Sequence, residues 1–163
     1  MSGSSLLPEI VTFPGIRLAG FKAKMSLAAD QTVPLWKSFM PGRKQIPGVV
    51  SEELYSVRIY PADYFAVLNP GREFEKWAAA PVDPHMAIPK PWELLQIPTG
   101  LYAVFHYRGL NTDPSIYRYI YGSWLPASGY VPDVRPHFEI LGARYRNNDP
   151  QSEEDIWIPV TRS

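Results

Sequence analysis

Along most of this chain, apolar and polar residues alternate in short runs. In two places they recur instead every three or four positions. Alternation marks strands and the longer period marks helices. The alternating runs predict strands over Ile16–Leu27, Leu54–Tyr60, Phe74–Ala80, Trp92–Ile97, Leu101–Tyr107, His137–Leu141 and Ile156–Val160. Val33, Leu35, Trp36, Phe39 and Met40 form the apolar face of a first helix, with Thr32 as N-cap, Pro34 in the first turn and Pro41-Gly42 as its stop. Ile116, Tyr117, Ile120, Tyr121 and Trp124 form the face of a second, capped at Asp113, started by Pro114 and ended by Pro126. Residues 1–9 read as a flexible lead and Arg146–Asp155 as a polar loop.

The pattern starts again near the middle. Trp36-Lys-Ser-Phe-Met-Pro41 lies over Tyr121-Gly-Ser-Trp-Leu-Pro126, and each half reads strand, helix, strand, strand. The expectation is one α+β domain over residues 1–163, with pseudo-repeats at about 10–82 and 92–163. Duplicated β-α-β-β units would form one curved antiparallel sheet, with two helices on one face and a central cleft on the other.

Alternation then assigns faces. Ile156, Ile158 and Val160 share one side of their strand, and Trp157 takes the other. Phe138 and Ile140 share one side, Glu139 and Leu141 the other. Placing the aliphatic sides under the helices points Glu139 and Trp157 together into the open cleft. A carboxylate among aromatic rings is a costly arrangement and marks a candidate site.

Composition narrows the chemistry. Eighteen prolines in 163 residues favour short elements. Five Trp and ten Tyr raise the prospect of a ligand cleft, because buried Tyr and Trp need partners for their polar ends. Sixteen basic residues balance sixteen acidic ones without a basic run, which disfavours nucleic acid. No apolar stretch is long enough for a membrane span, and the N-terminus lacks the pattern of a secretory signal. There is no cysteine, hence no disulfide, thiolate metal site or thiol nucleophile. His85, His106 and His137 lack metal-ligand spacing and read as structural or surface residues. Neither a metal nor a cofactor is expected, and a cytoplasmic location fits.

The series Ile97-Pro98-x-Gly100-x-Tyr102-Ala103-Val104-Phe105, Ile120-Tyr121-x-x-Trp124-Leu125-Pro126, Ser128-Gly129-Tyr130, Phe138-Glu139 and Ile156-Trp157-Ile158-Pro159-Val160 resembles the GyrI-like small-molecule-binding domain. That module is the effector-binding domain of AraC-type and MerR-type multidrug-responsive regulators. The resemblance implies a cleft lined by aromatics with a Glu in the penultimate strand, here Glu139. Trp157 stands where the last strand often has Tyr, and Leu141 where an aromatic often follows the Glu. With no room for a helix-turn-helix ahead of the first strand, the chain is expected to be a stand-alone member.

Three functions follow from this resemblance. The first is binding of a planar hydrophobic or cationic molecule, for sensing, sequestration or detoxification. Glu139, Trp157, Leu141, Tyr117, Tyr121, Trp36, Tyr102 and one or both of Tyr55 and Tyr60 would line the cleft, with cation–π contacts from the rings. The second is hydrolysis of cyclopropane-bearing, DNA-alkylating toxins. Glu139 would be the general base and Tyr117 or Tyr121 would steady the leaving oxygen. The third is a protein-interaction module like the gyrase-inhibiting relatives.

Overall fold

The computed structural model describes residues 6–67 and 69–163. Nine strands are found among them: β1 (Glu9–Phe13), β2 (Ile16–Met25), β3 (Leu54–Ile59), β4 (Phe74–Pro81), β5 (Glu93–Ile97), β6 (Gly100–Arg108), β7 (Tyr130–Pro132), β8 (His137–Leu141) and β9 (Glu153–Arg162). The helices are α1 (Thr32–Phe39), α2 (Ser115–Tyr119) and α3 (Leu125–Ala127). Every pairing is antiparallel, in the order β1-β6-β9-β8-β3-β4-β2-β5, with β7 added to β9. Matching β2, β3, β4 and β5 to β6, β8, β9 and β1 reverses the order onto itself. The duplicated β-α-β-β arrangement is therefore visible in the topology, with β3 and β8 meeting at its centre.

Two short turns force the sheet to curl. Only Pro14 and Gly15 separate β1 from β2, and only Pro98 and Thr99 separate β5 from β6, yet each joined pair lies far apart in the strand order. The turns meet: the Thr99 hydroxyl donates to the Phe13 carbonyl at 2.7 Å. Gly15 has φ +91°, and a Cβ there would sit 3.1 Å from the Ile97 carbonyl, so glycine fits both the backbone and the space. The inner face is filled by Phe13, Leu18, Tyr55, Val57, Trp77, Ile97, Tyr102 and Phe138, with Trp157 packed against them.

Both helices cover the opposite face. Leu35 and Phe39 of α1 pack on Ala19, Ala78 and Ala80, and Ile116, Ile120 and Leu125 pack on Ala103, Phe105, Ile156 and Ile158. Asp113, expected as the cap of α2, lies one residue ahead of its N-cap Pro114 and accepts from the Ser115 amide at 2.9 Å. That helix is then interrupted, because Ile120–Trp124 is wound as a wider π turn before α3. Pro126, expected to end the helix, lies inside α3, which continues directly from the π turn to Ala127.

Some boundaries differ from the sequence reading. β1 was not expected, although its first residue closes the predicted lead; residues 1–5 of that lead lie outside the described residues. β9 starts at Glu153, inside the segment read as a polar loop. Polar side chains there hid a strand that pairs Arg108 with Glu153 and His106 with Asp155. No helix among the described residues is long and apolar enough to cross a membrane.

Candidate functional site

In an antiparallel pair, residues directly opposite one another share a face. Glu139 of β8 stands opposite Ile156 of β9 and Ser56 of β3, whereas Trp157 stands opposite Phe138. Ile156 is packed beneath α2 and α3. Glu139 thus lies on the helix-bearing face and Trp157 on the inner one, which corrects the reading that both point into one cleft. The aliphatic sides of β8 and β9 face opposite ways: Phe138 joins the inner rings and Ile156 the helices.

The same register places Arg58 of β3 opposite His137 of β8 and Lys76 of β4. The central strands therefore carry Lys76, Arg58, His137 and Glu139 on the helix face, and strand alternation adds Glu154 of β9. All five are buried: Glu139 is 4% exposed, His137 1% and Glu154 9%. This seam between the two helical units is the polar centre of the molecule.

Arg58 organises it. One guanidinium nitrogen donates to Glu139 Oε2 in a buried ion pair, and another to the Tyr60 hydroxyl at 3.2 Å. The guanidinium also lies 5.1 Å from the centre of the Tyr117 ring and 5.9 Å from that of Tyr60, within cation–π range. Its buried Nε has no acceptor among the described residues. Burial opposes its charge, but Glu139 and the tyrosines outweigh that and hold Arg58 firmly protonated. Burial pushes the hydroxyls of Tyr117 and Tyr121 well up, so both remain neutral donors.

The outer wall is aromatic. Tyr121 shares a 2.8 Å hydrogen bond with His137 Nδ1. Burial first, then Arg58 and Arg135, hold that imidazole neutral. Phe65, in the turn Tyr64–Ala66, is 41% exposed and stacks on Tyr121 at 5.1 Å and 15°. It also stacks on His137 at 5.5 Å. Phe65 thus roofs the seam beside the π turn.

Of the sequence-predicted residues, the structure gathers Glu139, Tyr60, Tyr117 and Tyr121 here, with Leu141 on the same side of β8. It does not bring in the others. Tyr55 and Tyr102 belong to the inner core, 5.6 Å and 5.2 Å from Phe138, and the Tyr102 hydroxyl is spent on the Pro136 carbonyl at 2.9 Å. Trp36 packs edge-on to Phe39 at 5.7 Å on α1. Arg58, Lys76, His137 and Glu154 were missed. Ser56 and Arg58 alternate with Tyr55 and Val57, a pattern that also describes an ordinary solvent face.

No open cavity reaches Glu139 in the two best-formed depressions. One lies by α1 and is lined by Phe21, Gln31, Pro34 and Leu35. The other, of ≈ 440 Å³, is lined by Leu7, Val11, Val104, His106 and Trp157. Neither depression is lined by Glu139 or Arg58.

Among solved structures the same fold recurs. An integron cassette protein from the mobile metagenome of Vibrio cholerae is 14% identical over 95% of this chain and 96% of its own, with TM-score 0.64. SAV2435 bound to tetraphenylphosphonium is 15% identical over 94% and 93%, with TM-score 0.67. A hydrolase from Listeria innocua is 11% identical over 95% and 92%, with TM-score 0.59. No curated protein sequence matches significantly. The family model for Cass2, the integron-associated effector binding protein, matches residues 9–160, in keeping with the GyrI-like resemblance. The chain belongs to that effector-binding family.

Proposed function

We propose that the seam binds a small, flat, largely apolar molecule bearing an amine or other cation, and that the protein serves to sense, sequester or detoxify such compounds. One observation carries the reading: the seam already holds a cation of the chain's own. The Arg58 guanidinium lies against two tyrosine rings with a carboxylate behind it. Those contacts suit a planar organic cation, since ring faces attract charge and a buried carboxylate neutralises it. The π turn and the exposed Phe65 border the seam, and π turns often mark functional sites. Membership of an effector-binding family and the tetraphenylphosphonium bound by SAV2435 support the same reading.

Hydrolysis with Glu139 as base gains no comparable support. Its Oε2 already accepts from Arg58, so that oxygen is engaged before any water is placed. Nothing in the seam favours the gyrase-inhibitor-like interaction module either. The deciding experiment titrates the protein with a planar cationic dye and reads the dye's fluorescence. Saturable binding that Tyr121→Ala weakens supports the proposal. No binding up to the dye's solubility limit defeats it.

A further inference from the structure

The seam holds a second carboxylate that the Arg58 pair leaves unclaimed. Glu154 lies directly opposite Tyr107 of β6 and, by alternation, on the same face as Ile156. It is 9% exposed, and its carboxylate has no hydrogen bond or ion pair among the described residues. Three tyrosines from three segments feel its charge: Tyr107 on β6, Tyr117 on α2, and Tyr145 just after β8. A carboxylate so far removed from water is costly to keep charged.

We propose that Glu154, rather than Glu139, receives the cationic group of the bound molecule, with Tyr107, directly across the strand pair, as an aromatic wall. This rests on the binding function proposed above and names the group within the seam that confers it. Glu139 is neutralised by Arg58, so a cation placed beside it would have to displace a guanidinium held by two rings and a hydroxyl. Beside Glu154 no side-chain hydrogen bond or ion pair among the described residues has first to be broken.

A proton reports the event. Burial first, then Glu139, push Glu154 up to about 7, with Asp155 adding to the rise and Arg58 and Lys76 opposing it. The neighbouring tyrosines are neutral, and Lys76 is itself driven toward its neutral form by burial. A bound cation fixes Glu154 as the carboxylate. At pH 7 binding then releases about half a proton, and affinity rises with pH up to about 7 before levelling off.

The test is calorimetric titration of the full chain with tetraphenylphosphonium and with neutral triphenylphosphine oxide, from pH 6 to 8, in buffers of different ionisation enthalpy. Glu154→Gln removes an unpaired buried charge and is expected to fold at least as well as the parent. It should weaken the phosphonium roughly tenfold or more and abolish proton release, with the neutral compound unaffected. Phosphonium binding unchanged in Glu154→Gln, or an equal loss of both compounds, overturns the inference while leaving the binding function intact. If the parent binds neither compound, the proposed binding function falls, and this inference with it.

Discussion

The two faces of the central sheet are built from the same strands but follow opposite rules. On the inner face, Phe13, Tyr102, Phe138 and Trp157 meet at 5.2–5.8 Å, and Phe138 stacks on Trp157 at 12°. On the outer face, one residue along each strand, Arg58, His137, Glu139 and Glu154 are buried beneath helices and tyrosines. The inner face shows what holds the fold, because rings in mutual contact need no charge and no exchange with solvent. The outer face keeps ionisable groups where apolar ones would cost less, as is expected of a site.

The contrast is broken most severely on the inner face. Phe138→Ala removes a fully buried ring at the centre of that cluster and should cost about 4 kcal/mol in denaturant unfolding. The outer face should answer differently to single and paired changes. Glu139→Gln leaves Arg58 charged and buried, and should cost about 3 kcal/mol. Replacing Arg58 and Glu139 together with Met should bring stability back to within about 1 kcal/mol of the parent. If the double replacement is as damaging as the single, the pair is structural, and the distinction between the faces fails.

Much of this was legible in the sequence. Seven of the strands and the two helical segments follow from periodicity, although the helical winding runs past the expected stops, through Pro41-Gly42 in Met40–Gln45 and through Pro126 in α3. Glu139 stood out as a carboxylate in an aromatic setting. Which side it faced was not legible, because alternation separates a strand's two sides without saying which lies under the helices. With both faces buried, Phe138 fits either, and only the register that sets Glu139 opposite Ile156 decides. Arg58 and Lys76 were hidden for the same reason: a charged residue alternating with apolar ones reads as solvent-facing until something covers it. Glu154 was lost with the polar opening of β9, whose hydrogen-bonded partner β6 lies some fifty positions earlier.

The pH dependence of stability sharpens the comparison further. Glu154 has a folded pKa raised to about 7 against an ordinary carboxylate value near 4.5. Folding therefore favours its protonated form. That contribution is complete below about pH 4.5 and is lost as pH rises through about 7, a change of about 3 kcal/mol. Glu154→Gln should flatten this part of the profile in chemical unfolding at successive pH values and be the more stable protein at pH 8. A parent profile already flat between pH 5 and 8 would show that Glu154 is not desolvated as its burial implies.

The smallest effect separates the faces most cleanly. Trp157 was expected among the ligand contacts, yet it lies on the inner face, and its buried indole Nε1 has no acceptor among the described residues. Trp157→Phe gives up part of the ring contact with Phe138, Phe13 and Tyr102, but it also removes an unsatisfied donor. The two changes oppose each other, so the net cost should stay below about 1.5 kcal/mol. Affinity for a planar cation should not move, since the sheet itself stands between this ring and the seam. A variant of near-parental stability that binds the cation several-fold more weakly would place Trp157 in the site after all, with the inner face taking part in binding alongside the seam.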